Sequence, residues 1–599
     1  MFGAAPFVLL EDARGGGAAA RLFSAPAETI VAWALDEIEP AFEQLRRARA
    51  RGLYAAGWLS YEAGIALEQR LMERAQRSEP PKLPLLWFAL FERMARVSAA
   101  ELASALPDAA GAWISPPRPR VTRAAYEQAF NRAKDYIVAG DVYQVNLSYR
   151  ADLAIAGHPL AAYARLRVAG QGGWSGVVFD GANWLLSTSP ELFFRLSGGV
   201  AEARPMKGTA KRRADPEDDR AAAEALRHDP KEIAENLMIV DLIRNDLSRL
   251  AKRGSVRTPE LFRVETYPTL HTLTSTVRAE LKDEYDVIDA LRALFPCGSI
   301  TGAPKIRAME IIHELETDRR GAYTGSIGWI APDGDAEFNV AIRTLAIAGD
   351  RAELGLGSAV VYDSDAAREW EECQTKGAFV TRGAPAFELI ETMRCESGRI
   401  VRFDLHLARL QASADALGFR LDVEQARAKV EAIAALQTAT CIVRLTLGLE
   451  GNVAVSSKPL PASKQGSMDV ALVERPVAAH DFRILHKTTL RDFHEEALRQ
   501  ADADEIVYCD AEGFVTEGSY TNVFVESDGA LMTPPLSRGL LPGVLRQSLL
   551  QSGEAREQDL RVGDLSAGFF LGNTVRGLLR ARLRAEEGFE PEARRAARA

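Results

Sequence analysis

Apolar and polar positions along the chain predict a mixture of strands and helices. Apolar runs typical of strands, such as GGWSGVVFDGANWLLSTSPELFFRL, are combined in the first half with long segments of helical periodicity. One helix is delimited in the sequence, because Asp229 can cap it, Pro230 suits its first position and Gly254 can close it. Its predicted apolar face consists of Ile233, Leu237, Val240 and Leu247.

A boundary between two domains is predicted at residues 381–385, where the sequence TRGAP interrupts the pattern. A helix over about residues 365–376 precedes it. The sequence FELIETMRCESGRIVRF follows it, and two apolar runs around a turn at residues 396–398 predict a hairpin. We therefore expect one domain at residues 1–380 and a second at 385–599, joined by a short linker.

Composition narrows the classes of function. The 599 residues are 47% hydrophobic, which is ample for large cores and excludes a disordered scaffold. Lys plus Arg is 73 and Asp plus Glu is 83, so the net charge is −10, and no basic stripe suggests nucleic-acid binding. The sequence has no signal-like start and no apolar run of about 18 residues, so a soluble cytoplasmic protein is expected. Five scattered cysteines without a CxxC pair exclude a disulfide framework and a zinc ribbon.

The first half contains polar segments that are unusual for purely structural residues. They are YQVNLS (143–148), STSPE (187–191), RPMKGT (204–209), GSITGAPK (298–305) and GLGS (355–358). The last two are rich in glycine and are predicted to form turns that offer backbone amides to an anion. Taken singly, each segment is more often a turn or a hydrogen-bonded part of a core than a site.

Glu235 lies on the helix that follows Asp229, next to positions predicted to be buried. A carboxylate there needs a partner, a metal ion or a polar cavity. Lys231, four residues earlier, can supply an ordinary salt bridge, and the spacing alone favours that simpler interpretation.

Together these segments resemble the chorismate-utilising family, which includes anthranilate synthase component I, aminodeoxychorismate synthase component I, and isochorismate and salicylate synthases. The matching motifs are YQVNLS, STSPELF, PMKGTAKR, DPKEIAENLMIVDLIRNDLSR, GSITGAPKIRAMEII, GAYTGSIGW, FNVAIRTL and WEECQTKG, which cover residues 1 to about 380. The resemblance implies an α+β fold of two stacked antiparallel sheets flanked by helices, with the site between the sheets. It also implies chorismate as substrate and Mg²⁺ as cofactor.

Two positions select the reaction within this family. Members that add water resemble one another in carrying a lysine base where this chain has Gln144, and glutamine cannot deprotonate water. Lys207 lies where aminodeoxychorismate synthases carry lysine and anthranilate synthases carry alanine. A neutral lysine can attack ring carbon C2 as the C4 hydroxyl leaves, after which ammonia attacks C4 and expels the lysine. The resemblance therefore implies formation of 4-amino-4-deoxychorismate.

The resemblance also assigns an acid and a metal site. Glu191 matches the general acid that protonates the departing hydroxyl, so its pKa is expected to be raised. Glu235 and Glu372 match the carboxylates that hold Mg²⁺, which replaces the simpler interpretation of Glu235. For Glu372, a salt bridge to Lys376 and the neighbouring Glu371 remain alternatives.

A set of substrate-binding residues follows from the same resemblance. They are Gln144, Ser189, His271, Thr301, Tyr323, Arg343, Gly355, Gly357 and Lys376. Arg343 and Lys376, with backbone amides of residues 355–358, are expected to hold the two carboxylates of the substrate.

No segment resembles a glutaminase, because none of the five cysteines lies in a Gly-x-Cys-x-Gly turn. Ammonia is therefore expected from solution or from a separate glutamine amidotransferase subunit.

The second half carries its own ordered set of polar positions. Arg409 lies on a helix predicted to end near Gly418, Lys487 lies in LHKTTLRDF, and Glu517 lies at a predicted turn between strands. Residues 542–543, Pro-Gly, are predicted to open a helix whose free amides can take a phosphate. Singly, Lys487 and Arg409 are indistinguishable from surface residues.

In order, these motifs resemble the type IV pyridoxal-phosphate enzymes, which include branched-chain and D-amino acid aminotransferases and aminodeoxychorismate lyase. The match runs from about residue 385 to 580 and implies a compact version of that fold with pyridoxal 5'-phosphate as cofactor. By this resemblance Lys487 forms the Schiff base, and Glu517 keeps the pyridine nitrogen protonated. The expected phosphate contacts are Arg409 and amides near Val544, Leu545 and Thr574. Leu545 departs from the threonine that relatives often have, which removes a hydroxyl contact but keeps the amide.

The two halves together predict an enzyme that makes 4-aminobenzoate and pyruvate from chorismate, in folate synthesis. The amine made by the first half can react with the cofactor, lose its C4 proton to Lys487 and expel enolpyruvate as the ring becomes aromatic. The alternative is an anthranilate-type synthase joined to an aminotransferase, which Lys207 disfavours. Another alternative is that one half has lost catalysis and serves as a ligand-binding regulatory module. The Lys, Glu and Arg residues of the family motifs are present in both halves, which disfavours it. A homodimer through the second half is compatible with the resemblance.

Overall fold

A computed structural model of the chain describes residues 2–15, 18–73, 80–267, 270–462 and 466–584. The chain divides into two compact units. Unit 1 comprises Met1–Pro107, Pro116–Leu153 and Tyr163–Gly383, and unit 2 comprises Asp108–Ser115, Ala154–Ala162 and Ala384–Ala599. Two short segments of the predicted first domain therefore belong to unit 2. Within the predicted second domain, residues 463–465 and 585–599 lie outside the described residues.

The strands of residues 1–383 begin with β1 (Phe7–Glu11), β2 (Ala20–Ser24), β3 (Glu28–Ala32), β4 (Tyr54–Leu59), β5 (Leu86–Phe91), β6 (Ala95–Val97), β7 (Trp113–Ile114), β8 (Arg118–Pro119), β9 (Gln144–Ala156), β10 (Trp174–Phe179) and β11 (Asn183–Ser189). They continue with β12 (Leu192–Ser197), β13 (Val200–Arg204), β14 (Met206–Lys211), β15 (Arg257–Thr266), β16 (Leu270–Glu280), β17 (Gly302–Ala303), β18 (Ser326–Ile330), β19 (Ala336–Asn339), β20 (Thr344–Ala348) and β21 (Arg351–Val360). The α-helices are α1 (Ile38–Ala50), α2 (Gln69–Met72), α3 (Ala99–Ala105), α4 (Arg123–Val138), α5 (Pro159–Gly170), α6 (Pro216–His228), α7 (Pro230–Ser248), α8 (Val287–Leu294), α9 (Lys305–Leu315) and α10 (Ala366–Gly377).

Unit 1 is built on two antiparallel sheets. The first runs in the order β17-β9-β21-β20-β11-β10-β1-β2-β6, and the second in the order β14-β16-β13-β12-β19-β18-β4-β5-β3. Apolar residues of both sheets form one buried cluster, in which the rings of Trp58 and Trp87 stack at 5.0 Å. The predicted α+β fold with two antiparallel sheets is thereby confirmed.

Helix α7 begins as predicted and ends earlier than predicted. The carboxylate of Asp229 accepts hydrogen bonds from the first turn of the helix. The helix stops at Ser248 rather than near Gly254, because Ala251 already forms a β-bridge with Leu281.

The apolar face predicted for α7 is wrong at Leu237, which is 42% exposed. The buried residues of the helix are Asn236, Ile239, Val240, Ile243, Asp246 and Leu247. Two of them are polar: Asn236 accepts from Oγ of Ser275 at 2.6 Å, and Asp246 pairs with Lys305 at 2.7 Å. Their partners make burial possible, and their polarity hid this face in the sequence pattern.

The strands of residues 384–584 are β22 (Leu389–Glu396), β23 (Arg399–Ile400), β24 (Cys441–Leu447), β25 (Val453–Pro459), β26 (Met468–Glu474), β27 (Glu505–Cys509), β28 (Val515–Gly518), β29 (Asn522–Ser527), β30 (Ala530–Thr533), β31 (Ala555–Glu557), β32 (Phe569–Asn573) and β33 (Gly577–Leu583). The α-helices are α11 (Phe403–Leu417), α12 (Val423–Ala435), α13 (Phe482–Leu485), α14 (Asp492–Ala501) and α15 (Val544–Gln551). The predicted hairpin after the boundary is present as β22 and β23, with Ser397 and Gly398 at positive φ in its turn.

Unit 2 contains a sheet in the order β23-β22-β24-β25 and a mixed sheet in the order β28-β27-β26-β33-β32-β29-β30-β31. The smaller sheet and α11 share an apolar core that includes Trp113 of β7. The ring of Trp113 meets Phe387 edge-on at 4.8 Å, and its Nε1 donates to the carbonyl of Leu417 at 2.8 Å. Segment Asp108–Ser115 is thus an integral part of this core.

All five cysteines are buried and none forms a disulfide. Among the described residues, no helix is both long enough and apolar enough to cross a membrane.

Candidate active sites

Glu191 lies in the turn between β11 and β12 with its side chain buried. Its N–H donates to Oγ of Ser189 at 3.2 Å, and that hydroxyl donates to the carbonyl of Val340 at 2.6 Å, which fixes the turn. Burial, partly offset by Ser299 and Lys207, raises the pKa of Glu191 to about 7. Its Oε1 is buried without a hydrogen-bond partner among the described residues. Glu191 can therefore hold a transferable proton near neutral pH.

Lys207 lies on β14, opposite Leu273 of β16. Burial lowers the pKa of Lys207, and Lys376 lowers it further. The carboxylates that oppose this shift are Glu235, Glu191 and Glu372. The next residue, Gly208, has a φ of 80°, and the register with β16 shifts there, so the strand bulges directly after Lys207. The lowered pKa favours the neutral amine, which is the nucleophilic form.

Glu235 of α7 and Glu372 of α10 each form an ion pair within their own helix. Lys231 lies 3.8 Å from Glu235 and Lys376 lies 2.7 Å from Glu372, so both salt bridges considered as alternatives are present. Burial raises the pKa of Glu372, but Lys376 outweighs it and the net pKa is lowered. Among the described residues, no group of three or more His, Cys, Asp or Glu side chains is arranged to hold a metal ion.

Two further carboxylates, which were not predicted from the sequence, lie one helical turn before this pair. Burial and the negative charge of Glu235 raise the pKa of Glu232 to about 7. Burial and the charge of Glu372 likewise raise the pKa of Glu369. The repeated i, i+3 spacing of glutamates in α7 and α10 is the signal that could have revealed them. Glu232 and Glu369 are thus carboxyl groups whose ionisation is disfavoured by neighbouring negative charges, and a divalent cation would relieve this repulsion.

The cationic side chains predicted for the substrate's carboxylates are Arg343 and Lys376. Arg343 has no carboxylate partner among the described residues, and burial lowers its pKa. Nζ of Lys376 donates to the carbonyl of Gly357 at 3.0 Å in addition to pairing with Glu372. Arg343 is therefore the freer of the two cations.

The segment GLGS was predicted to be a turn and instead lies inside β21. Its glycines make room for Tyr323: a Cβ on residue 355 would lie 2.0 Å from Cγ of Tyr323. A Cβ on residue 357 would lie 2.9 Å from Oη of Tyr323 and 2.6 Å from Cβ of Ser148. The glycines of this strand thus permit close packing of an aromatic ring, which a sequence motif of glycines does not distinguish from a turn.

Gln144 begins β9 and is fully buried. Neither Oε1 nor Nε2 of its amide has a hydrogen-bond partner among the described residues. A buried amide with both groups unsatisfied is costly in a purely structural role and is expected where a ligand completes its bonds.

Three other predicted substrate-binding side chains are engaged with the protein itself. Ser189 uses its hydroxyl in the turn before Glu191. Oγ1 of Thr301 donates to backbone carbonyls of its own turn at 3.2 and 3.3 Å. His271 has Nε2 at 3.0 Å from Asp219 and Nδ1 at 2.9 Å from Oγ1 of Thr266. In this arrangement their hydroxyl hydrogens and ring nitrogens are used within the protein, and their role in substrate binding stays a prediction.

The second set of predicted residues comes together in unit 2. Lys487, Glu517, Arg409, Val544 and Thr574 line one cavity of about 510 Å³. Burial and the positive charge of Arg491 lower the pKa of Lys487 to about 7, so its amine is easily deprotonated. Burial raises the pKa of Glu517 to about 8, although its Oε2 accepts from the N–H of Leu541 at 3.0 Å.

The expected phosphate contacts surround the start of α15. Leu545 packs its side chain into the apolar cluster around Phe524 and Leu549, so only its backbone amide remains for a ligand. Nη1 of Arg409 donates to the carbonyl of Pro542 at 3.3 Å, next to this helix.

Arg409 also bonds to Glu391 of β22, and Glu391 bonds to His406 of α11. Neither Glu391 nor His406 was predicted from the sequence as part of a site. A glutamate within the apolar strand LIETMRCE is the signal that could have revealed the cluster.

Comparison with known proteins matches residues 5–382 to chorismate binding enzymes and residues 388–583 to amino-transferase class IV. Aminodeoxychorismate synthase component 1 of Bacillus subtilis is 41% identical over 285 residues, 48% of this chain and 59% of that protein. Anthranilate synthase component 1 of Thermus thermophilus is 43% identical over 255 residues, 43% of this chain and 55% of that protein. The chain thus spans less than two thirds of the length of these relatives.

Among solved structures, anthranilate synthase component I from Streptococcus pneumoniae aligns with a TM-score of 0.51 and 26% identity. The alignment covers 64% of this chain and 93% of that chain.

Proposed function

Because this chain belongs to the family of chorismate binding enzymes and continues into an amino-transferase class IV domain, we propose a two-step synthesis of 4-aminobenzoate. The first half converts chorismate and ammonia to 4-amino-4-deoxychorismate, and the second half splits this product into 4-aminobenzoate and pyruvate. We assign the pair of reactions to folate synthesis in the cytoplasm. The observation that carries the proposal is Lys207, a lysine with a lowered pKa in the same electrostatic neighbourhood as Glu191, Glu235 and Glu372.

In the first half, Lys207 and Glu191 divide the chemistry. The neutral amine of Lys207 attacks C2 of the ring, both ring double bonds shift, and the C4–O bond breaks. Glu191 gives its proton to the departing hydroxyl, which leaves as water. Ammonia then attacks C4, both double bonds shift back, and the C2–N bond to Lys207 breaks. A proton released from the incoming ammonia restores Glu191, and the amine of Lys207 is regenerated. Gln144 cannot act as a base towards water, which favours ammonia as the incoming nucleophile.

We propose that carboxylates of α7 and α10 bind a Mg²⁺ ion. Glu235 and Glu372 would hold it, exchanging their ion pairs with Lys231 and Lys376 for the metal. The raised pKa of Glu232 supports this assignment, because an added divalent cation would allow that carboxyl to ionise. When bound, Mg²⁺ would neutralise a carboxylate of the substrate.

The proposed source of ammonia is a separate glutamine amidotransferase. The five cysteines of the chain lack the turn that a glutaminase nucleophile requires, which supports a partner. A homodimer through the second half stays a prediction of the sequence.

In the second half, pyridoxal 5'-phosphate fits the cavity of unit 2 and would supply an electron sink for the elimination. Lys487 would bind it covalently, Glu517 would lie at its ring nitrogen, and Arg409 with the amides of α15 would hold its phosphate. Once its amine is free of the cofactor, Lys487, whose pKa is lowered to about 7, can take the proton from C4 of the substrate. The bond between C3 and the enolpyruvyl oxygen then breaks, the ring becomes aromatic, and the transferred proton ends on pyruvate.

One assay tests both halves. The purified chain is supplied with chorismate, Mg²⁺, pyridoxal 5'-phosphate and ammonium, and 4-aminobenzoate and pyruvate are followed. Ammonium should support turnover, whereas glutamine should do so only after a glutamine amidotransferase is added. Efficient use of glutamine by the pure chain would contradict the proposed partner. Anthranilate as product would support the alternative synthase, and accumulation of 4-amino-4-deoxychorismate would contradict the lyase assignment.

A further inference from the structure

The carboxylate of Glu391 joins two side chains of α11. Nδ1 of His406 lies 2.6 Å from Oε2 of Glu391. Arg409 donates from Nε to Oε1 at 2.8 Å and from Nη2 to Oε2 at 2.6 Å. All three side chains are buried, with Glu391 and His406 each only 1% exposed.

Glu391 neutralises the charge of Arg409. Burial raises the pKa of Glu391, but Arg409 and His406 outweigh it and lower the pKa to about 2, so the carboxylate is ionised at neutral pH. The bidentate pair therefore has no net charge. A phosphate dianion beside Arg409 would need a further cation to balance it, because burying an uncompensated charge is costly.

His406 is the group that can supply this charge. Since Glu391 accepts from Nδ1, the neutral imidazole carries its proton there and presents the lone pair of Nε2. Nε2 is buried without a hydrogen-bond partner among the described residues, and His406 lines the same cavity as Arg409 and Lys487. An unsatisfied buried nitrogen in the wall of a ligand cavity is expected to be completed by the ligand.

We propose that His406 takes up a proton when a phosphate monoester binds in this cavity and then donates a hydrogen bond from Nε2 to that phosphate. The carboxylate of Glu391, on β22, stabilises the resulting imidazolium by accepting the hydrogen bond from Nδ1 of His406. This inference rests on the proposed cofactor, but it does not depend on which reaction the second half performs.

The charges around His406 explain why the proton arrives only with the phosphate. Burial lowers the pKa of His406, Glu391 opposes that shift, and the cations Arg409 and Lys487 add to it. Glu391 belongs to β22, Arg409 to the same helix, and Lys487 to the loop after α13. A dianion next to Nε2 reverses the balance, because it stabilises the charged form directly.

Two other histidines line the cavity and serve as comparisons. Burial lowers the pKa of His486 to about 4, and burial with the cations Arg491 and Lys487 lowers the pKa of His494 to about 3. Neither is bonded to a carboxylate among the described residues, so neither has a partner for an imidazolium.

The test uses the full chain freed of cofactor and pyridoxine 5'-phosphate as the probe. This probe carries the phosphate but has no aldehyde, so it cannot bond covalently to Lys487, and pyridoxine serves as the phosphate-free control. Calorimetry in two buffers of different ionisation enthalpy gives the number of protons bound with each probe at about pH 7.5, where the phosphate is a dianion. We expect close to one more proton with pyridoxine 5'-phosphate than with pyridoxine. We also expect affinity for the phosphate probe to fall about tenfold per pH unit in the alkaline range.

Three variants assign the proton. His406→Asn keeps an amide donor for Glu391 but presents no nitrogen to the cavity, so the extra proton and the pH dependence of affinity should both disappear. Glu391→Gln should also abolish the uptake, because a neutral amide does not stabilise an imidazolium. His494→Asn is the matched control and should behave as the parent.

The outcomes separate this inference from the proposed function. Equal proton uptake for both probes in the unaltered protein would overturn it without any variant, and so would uptake that persists in His406→Asn. If pyridoxine 5'-phosphate does not bind at all, the cofactor assignment fails as well. Neither result depends on turnover of 4-amino-4-deoxychorismate.

Discussion

The ring of Tyr323 occupies the space that a side chain on Gly355 would fill, since a Cβ there would lie 2.0 Å from Cγ of the ring. Tyr323 is buried, and its position is set by a strand that can approach it only because residue 355 has no side chain. The glycine therefore positions an aromatic residue of the first site rather than a ligand directly.

Gly355→Ala should consequently displace Tyr323 and lower the amination rate by about tenfold or more. Overpacking of this kind also costs about 1–3 kcal/mol of stability, which thermal unfolding would detect. Gly563→Ala is the control, because a Cβ there meets nothing within 4 Å. The same activity in both variants would contradict the positioning role of Gly355.

Glu191 predicts a falling pH profile for the first half. Its pKa of about 7 lies above the usual range for a carboxyl group, so the proton is present below that pH and is lost as pH rises through it. Amination measured at a constant concentration of free ammonia should therefore decline with a midpoint near pH 7. Glu191→Gln should lower the rate by about 10²–10⁴-fold and should lack this decline. Deprotonation of Lys207 would add a rising limb, so the alkaline decline is the diagnostic feature. Its absence in the parent, or its persistence in Glu191→Gln, would exclude Glu191 as the acid.

The proposed Mg²⁺ site predicts different effects for adjacent glutamates. Glu235→Gln and Glu372→Gln each remove a charged oxygen ligand, so the Mg²⁺ concentration for half-maximal amination should rise by about tenfold or more. Calorimetric binding of Mg²⁺ should weaken in parallel. Glu371→Gln is the control, because consecutive residues of a helix lie about 100° apart and Glu371 is therefore on a different face of α10 from Glu372. If Glu371 proves critical and Glu372 does not, the assignment is off by one residue.

The two lysines should be separable by the compound that accumulates. Lys207→Ala removes the proposed nucleophile, so formation of 4-amino-4-deoxychorismate should fall while the second half still binds pyridoxal 5'-phosphate. Lys487→Ala should consume chorismate and accumulate 4-amino-4-deoxychorismate, with pyruvate near background and an altered absorption band of the cofactor. Release of 4-aminobenzoate by Lys487→Ala at the parent rate would disprove its role. Conversion of chorismate to anthranilate by the same variant would place the first half in the other branch.

Trp113 should contribute to the stability of unit 2 although it precedes the domain boundary by more than two hundred residues. Trp113→Ala removes a buried ring and its hydrogen bond to Leu417, which should cost about 3–5 kcal/mol in the unfolding of this unit. Trp33→Ala is the matched control, because Trp33 is 49% exposed. Denaturant unfolding followed by cofactor absorption reports on unit 2 specifically, and an equal midpoint for both variants would contradict the prediction.

The sequence predicts helix caps and turns well when the residues that determine them are neighbours in the chain. The capping of α7 by Asp229 and the turn at Ser397 and Gly398 depend on residues within a few positions, so their signals are strong. The buried face of α7 was predicted wrongly because Asn236 is buried through a partner far along the chain. Tertiary partners of this kind leave no periodic signal.

The candidate sites show the same division. Lys207 and Lys487 are assigned from motifs in the sequence, and their catalytic roles stay predictions. Glu232 and Glu369 were missed although Glu235 and Glu372, which raise their pKa values, lie only three residues away on the same helices. His406 was missed because Glu391 and Lys487 come near it only in the fold. The strand conformation of residues 355–358 was missed because glycine permits both a turn and the close approach of Tyr323.

Residues 108–115 and 154–162 belong to unit 2, so unit 2 cannot be obtained whole by truncating the chain at the linker. A truncation that starts at residue 384 contains every residue proposed to act in the second half, yet it omits the indole that closes one of its cores. Expressed alone, such a fragment should fold poorly even though it contains all of the proposed catalytic and cofactor-binding residues. The complementary fragment would carry two apolar segments without the surroundings that shield them. A single cut at residue 384 therefore does not separate the chain into its two compact units.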